Sequence, residues 1–197
     1  ILIAQFLAYE IGAFMRRFPQ VEVNIFHDQN AMVLRALRNG EVDFAVFSHV
    51  KGEVYQGIES VECRRDRLVL LVPEWHPLSP TLNVSLEAVL DQELVSFGEG
   101  TTVMNQLRHA ALQIGREPRV RYTVSAVDAV RSMVSAGLGV ALLPASIAQA
   151  DGHQNVRIVP IDGDWAERSY RVGYLSGRAH SPAAEALINQ IISPTAD

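Results

Sequence analysis

The stretch that most constrains the fold is Ser125–Pro144, SAVDAVRSMVSAGLGVALLP. Val127, Val130, Met133 and Val134 recur at three- and four-residue spacing, which predicts a helix with one buried stripe. Ser125 is the expected N-cap, its hydroxyl accepting a first-turn N–H, and Asp128 follows at capping-box spacing. Gly137 is expected to stop the helix in the left-handed conformation. Val140–Leu143 is a short apolar run of the kind a covered parallel strand needs, and Pro144 ends it. A helix whose start is offered outward, followed at once by a buried strand, reads as one wall of a small-molecule cleft. Gly137-Leu138-Gly139 is not a nucleotide fingerprint. That motif needs strand, glycines, helix, and here the order is helix, glycines, strand.

Upstream, Leu2, Ile3, Phe6, Leu7, Ile11, Phe14, Met15 and Phe18 mark an amphipathic helix that Pro19 ends. Val21–Phe26 alternates as a strand does. Asn30 is placed to cap a second helix with Val33, Leu34 and Leu37 inward and Gly40 at its end. Val42–Phe47 then completes an expected parallel β-α-β unit. Ile58–Cys63 and Arg67–Val72 read as two strands, Ser85–Leu90 as a short helix and Leu94–Phe97 as a strand. A helix through Ile114, stopped by Gly115, and a strand Arg119–Val124 lead into the Ser125 helix. Beyond Pro144 come a short helix to about Ala150, a polar loop DGHQN and a strand Val156–Ile161. Ser169–Leu175 is the last strand, and Ser181-Pro182 opens a terminal helix to Ile192. Strands and helices thus alternate in two clusters, with irregular crossings near Pro73–Pro80 and Asp162–Arg168.

Several function classes are disfavoured by composition. A net charge of −5 does not suit a nucleic-acid grip, which needs a concentrated positive face. No apolar run approaches the ~20 residues of a membrane span. Cys63 is the single cysteine, which excludes an internal disulfide and fits a reducing compartment. There is no G-x-S-x-G elbow. His27, His49, His76, His109, His153 and His180 never pair at metal-ligand spacing, so neither a catalytic nor a metal site is expected. Cys63, between Glu62 and Arg64-Arg65, is open to a lowered thiolate pKa or to a plain strand role; the plain role is favoured. The chain opens on apolar Ile1, without a methionine or a charged, cleavable leader, and is expected to be a piece of a longer protein.

Binding chemistry is better represented. In open α/β sheets, ligands sit beyond the carboxyl ends of strands. Asp28–Asn30, Ser48–His49, Gly98–Thr102 and Ser125–Ala126 are expected there, three of them at helix starts. Free N–H groups and roughly +0.5 of dipole charge at such starts suit an anion, most simply a carboxylate. Gly98 and Gly100 permit close backbone approach, and Thr101 and Thr102 add hydroxyls. Each of these alone is also readable as a cap or a turn, and His49 as a surface residue.

FMRRFPQVEVNIF, LRALRNGEVDFAVF, RRDRLVLLVPEWHPL, VSLEAVLDQELVSF and SAVDAVRSMVSAGLGVALLP together resemble the effector-binding domain of LysR-type transcriptional regulators. The resemblance covers nearly the whole chain. It implies an α/β fold of two Rossmann-like lobes joined by two crossover segments, periplasmic-binding-protein type 2-like. Lobe I would be 1–72 plus 170–197, and lobe II 73–169. It also implies a small effector in the interlobe cleft, no catalysis and no cofactor. Family effector contacts fall on Asn30, on Phe97, Gly98, Gly100, Thr101 and Thr102, and on Ser125 and Ala126, with Ser48 and His49 beside them. The implied partners are the effector and further copies of the chain, as a dimer and, in the full-length protein, a tetramer. DNA would be bound only through an N-terminal winged helix-turn-helix absent here, in the cytoplasm and away from membranes. The family's first strand and hydroxyl-bearing loop, which precede the helix starting at Leu2, are also absent, so the first lobe's sheet is expected one strand short. A free-standing solute-binding protein of a transport system is the alternative on the same fold. A small enzyme would need a nucleophile–base pair that the sequence does not offer.

Overall fold

The computed structural model describes residues 2–49, 53–98, 100–149 and 155–193. In chain order the elements are α1 (Leu2–Arg17), α2 (Asn30–Arg38), β1 (Ala45–His49), β2 (Ile58–Pro73), α3 (Leu86–Leu90), β3 (Glu93–Phe97) and α4 (Thr102–Gln113). They continue with β4 (Arg119–Val124), α5 (Val127–Ser135), β5 (Ala141–Pro144), α6 (Ala145–Ala148), β6 (Val156–Pro160), β7 (Glu167–Leu175) and α7 (Pro182–Ile192). Two compact units result, Ile1–Arg65 with Arg168–Asp197, and Asp66–Glu167. Most of the loop expected at DGHQN, and the end of the short helix at Ala150, lie outside the described residues.

In the first unit β1 pairs antiparallel with β7, from Ala45↔Gly173 to His49↔Ser169, and β7 in turn neighbours β2. Period-2 alternation divides the side chains of β1 between two faces. Val46 joins Val172, Phe14, Leu187, Ile188 and Ile191 under α1 and α7. Ala45 and Phe47 pack on Leu34 and Leu37 of α2. Gly173 is required by that packing, because a Cβ there would lie 2.7 Å from Cε1 of Phe47. Gln190 donates to the Glu10 carbonyl at 2.8 Å and ties α7 to α1.

The second unit is built on the latter half of β2, Leu68–Pro73. Both β5 and β6 flank it antiparallel, with Val69 opposite Leu143 on one side and Pro160 on the other. β3 and β4 form a parallel pair, joined to the start of β5 by the bridge Leu94↔Val140. Leu70, Leu90, Leu94, Leu107, Val140, Leu142 and Ile161 form one continuous core.

Four expectations are corrected. Val21–Phe26 is extended but belongs to no ladder, so the parallel β-α-β unit is not formed. Val21 and Val23 face the α1/α7 core, while Ile25 and Phe26 are exposed. Alternation sets an extended backbone, but only a paired neighbour makes a strand. The run at Val140–Leu143 is covered as expected, yet Ala141–Pro144 pairs antiparallel with β2. The expected pair Ile58–Cys63 and Arg67–Val72 is one 16-residue strand. Along its charged middle Arg65 bonds Glu62 at 2.6 Å, Asp66 accepts from the Ser146 hydroxyl at 2.6 Å, and Arg67 donates to the Ile161 carbonyl at 2.8 Å. Finally, Ser125 is not a cap. Ala126 holds the N-cap position of α5, with no side-chain bond to the first turn.

Candidate functional site

The candidate residues fall into one group in each unit. In the second unit, the parallel pairing of β3 and β4 puts both strand ends together, with Phe97 opposite Val124. The Gly98 N–H donates to the Val124 carbonyl at 2.8 Å, which sets Gly98 beside the chain entering Ser125. Gly98 (φ 68°) and Gly100 (φ 70°) are both left-handed, a backbone that other residues adopt only with strain. Thr101 caps α4, its hydroxyl accepting from the Met104 N–H at 3.4 Å. Thr102 is the first helical residue of α4. Ser125 and Ala126 are exposed. The N-cap residue Ala126 makes no side-chain bond to the first turn of α5. Asp128, expected in a capping box, instead lies 3.5 Å from the buried Arg131, which also donates to the Ile147 carbonyl and holds α5 on α6.

In the first unit Asn30 is the first residue of α2 and not its cap, a further correction; Gln29 takes the cap position without a side-chain bond. The Asn30 amide crosses to β1. It donates to the Ser48 carbonyl at 2.6 Å and accepts from the Ser48 N–H at 3.3 Å and hydroxyl at 3.4 Å. Asn30 and Ser48 therefore fix the strand end to the helix start. His49 follows at the last position of β1, half-buried, with Nδ1 3.2 Å from the Tyr55 hydroxyl. Burial, and then the Arg171 guanidinium, push its imidazole below the ordinary value of 6.5, against weaker opposing pulls from Glu53 and Glu62.

Tyr55, Glu53, Arg131 and Gln106 were not marked by the sequence. Gln106 is buried and donates to the Trp165 and Glu167 carbonyls at 2.6 and 2.8 Å, so α4 is clipped to the segment entering β7. A polar residue interrupting an apolar helix face, as at Arg131 beside Val130, was the signal available for two of these. Nothing local announces the pairing of Tyr55 with His49.

Cys63 is half-buried, and its thiol donates to the Tyr170 carbonyl at 3.3 Å. Burial pushes that thiol up to about 11, the reverse of an activated thiolate. Among the described residues no group of three His, Cys, Asp or Glu side chains could hold a metal ion, and no helix is long and apolar enough to cross a membrane.

Two α/β units whose strand ends carry amides, hydroxyls and helix starts without side-chain caps define the architecture of a binding domain. The family model for the LysR substrate binding domain matches residues 1–193, and the chain belongs to that family. The transcriptional dual regulator GltC of Bacillus subtilis is 29% identical over 184 residues, covering 93% of this chain and 61% of that protein. A probable RuBisCO transcriptional regulator of Trichormus variabilis is 24% identical over 187 residues, covering 92% and 56% respectively. The chain thus spans a little over half the length of these curated relatives. Among solved structures, the regulatory domain of Synechocystis CcmR in complex with 2-PG superposes with a TM-score of 0.85 at 19% identity, covering 97% of this chain and 91% of that one. The BenM effector binding domain with benzoate gives 0.80 at 21%, covering 96% and 86%. The fold is accordingly that of LysR effector-binding domains, periplasmic-binding-protein type 2-like.

Proposed function

We propose that the chain is the effector-sensing and oligomerisation module of a LysR-type transcriptional regulator. It binds a small anionic metabolite at the strand ends described above, and it adjusts DNA binding by a separate N-terminal domain. The observation that carries this reading is the family match over residues 1–193. The chemistry of the site supports it: α2 and α5 begin without side-chain caps, and such starts favour anions. Residues 30, 48, 101, 102 and 125 add only neutral amides and hydroxyls, the equipment of reversible binding rather than of turnover. QuiR and BenM effector domains have been solved with shikimate and benzoate, both carboxylates, which supports the same ligand class here.

In this reading the module is not an enzyme, works in the cytoplasm and self-associates, as a dimer and as a tetramer in the whole regulator. Tyr9 and Met15 on α1, 83% and 44% exposed, supply apolar surface for that association. The test is thermal unfolding of the domain against a panel of small carboxylates and phosphate esters that includes benzoate and shikimate. A ligand at about 100 times its Kd should add roughly 2.7 kcal/mol. A flat response across the panel overturns the anionic-effector reading.

A further inference from the structure

Asn39-Gly40 is the single Asn-Gly pair in the chain, and it lies where α2 ends. The glycine matters because it has no Cβ to shield its nitrogen from the preceding side chain. Asn24 and Asn83, by contrast, precede the branched Ile25 and Val84. Asn39 is exposed and closes α2 as its C-cap, and Gly40 follows at φ 73°. The Gly40 N–H donates to the Leu37 carbonyl and the Glu41 N–H to the Ala36 carbonyl, both at 3.0 Å, the double closure of a Schellman motif. Nδ2 of Asn39 donates to Oε1 of Glu41 at 2.8 Å, so the side-chain amide is held as well. At ψ −6° the Gly40 nitrogen eclipses the backbone nitrogen of Asn39, and Cβ lies a full tetrahedral step away. A five-membered ring through Cβ and Cγ needs that nitrogen to eclipse Cβ instead.

We propose that Asn39 is a site of spontaneous deamidation that the folded end of α2 holds closed. When the last turn opens, the Gly40 nitrogen gives up its proton and bonds to Cγ of Asn39. The Cγ–Nδ2 bond breaks, ammonia leaves, and a cyclic imide remains. Water then opens the ring at either carbonyl, giving aspartate or an isoaspartate whose main chain runs through Cβ and Cγ. Nothing is oxidised or reduced. Either product sets a negative charge at the C-terminal end of α2, where the helix dipole opposes it, and beside the Glu41 carboxylate that Nδ2 had satisfied. The reaction therefore weakens the helix end that protected against it, and Leu34 and Leu37 of that helix carry the packing on Phe47.

Peptide mapping by mass spectrometry tests it, on the native domain and on the chain in guanidinium chloride, both held at pH 8. In the denatured chain Asn39 should convert ahead of Asn24 and Asn83; conversion no faster than theirs overturns the site. In the native domain it should convert roughly 10-fold more slowly or slower still, because the helix end must open first. Equal rates in the two states overturn the gating. Arg35→Gly loosens the last turns from an exposed position, and it should speed native conversion roughly 3- to 5-fold while leaving the denatured rate alone. A native rate unmoved by that change overturns control by the helix end. Asn39→Asp installs the aspartate product outright and should unfold at a lower urea concentration than Asn39→Gln; equal midpoints overturn the loss of stability.

Discussion

Single residues show how closely backbone conformation and side-chain space are matched. Gly137 sits at φ 77° as the residue after the α5 C-cap, with Leu138 N–H on the Met133 carbonyl at 3.0 Å and Gly137 N–H on the Val134 carbonyl at 2.9 Å. A Cβ there would meet Trp75 at 2.7 Å, whereas at Gly115, φ 67°, nothing lies within 4 Å. Gly115→Ala should therefore cost about 1–2 kcal/mol from the left-handed backbone alone. Gly137→Ala should cost more, since the indole must also move; urea unfolding of the two variants checks the order. Cys63 makes a second prediction at this scale. With its thiol raised to about 11, alkylation by iodoacetamide at pH 8 should be much slower in the native domain than in the denatured chain. Comparable rates would mean that the thiol is not held by burial.

At the scale of elements, the helix ends divide into those closed by their own side chains and those left open. Ser85, Thr101 and Ser181 each accept a bond from the first turn of α3, α4 and α7. The starts of α2 and α5 have no such bond. Thr101→Ala should lose about 0.5–2 kcal/mol of stability through the cap. Ser125→Ala should leave chemical denaturation unchanged, because Ala126 and not Ser125 is the N-cap. Ser125 falls outside the cap position for a physical reason. Cap preference says that a hydroxyl near a helix start is favourable, but one residue of shift in the start moves it outside the bonded turn. By contrast, Ser181-Pro182 was legible, since proline at the first helical position fixes the frame. Strand pairing was less so: Val21–Phe26 has the alternation of a strand and lacks its ladder.

For the molecule as a whole, the titrating groups act together on stability. His49 and His76 are both depressed below 6.5, chiefly by burial. Their unfolded forms bind protons more readily than their folded forms, so the unfolded state gains as pH falls. Their contribution is fully present above the ordinary imidazole range and is lost on acidification through the depressed folded values. Tm should therefore fall between pH 7.5 and 5.5, and His76→Gln should flatten the profile; a pH-independent Tm in that window would contradict the burial. Cys63, raised by burial, has the opposite sign: its contribution is complete below the thiol's ordinary value of 9.0 and is lost as pH rises toward about 11.

What the sequence determined by itself was local. Amphipathic periodicity set the helices, glycine after α2, α4 and α5 set their ends at positive φ, and apolar runs set the buried strands. These follow from spacings of a few residues, where the physics involves only near neighbours in the chain. Family membership was legible for the same reason, in runs such as LRNGEVDFAVF and AGLGVALLP. Tertiary structure alone decided the direction of β5 against β2 and the merging of two expected strands into one. It also decided which polar atoms of the site are already bonded. Asn30 meets Ser48 across 18 positions, and Gln106 meets Glu167 across 61. A hydrogen bond needs its partner within about 3 Å and in line, a condition that no pattern of nearby residues encodes.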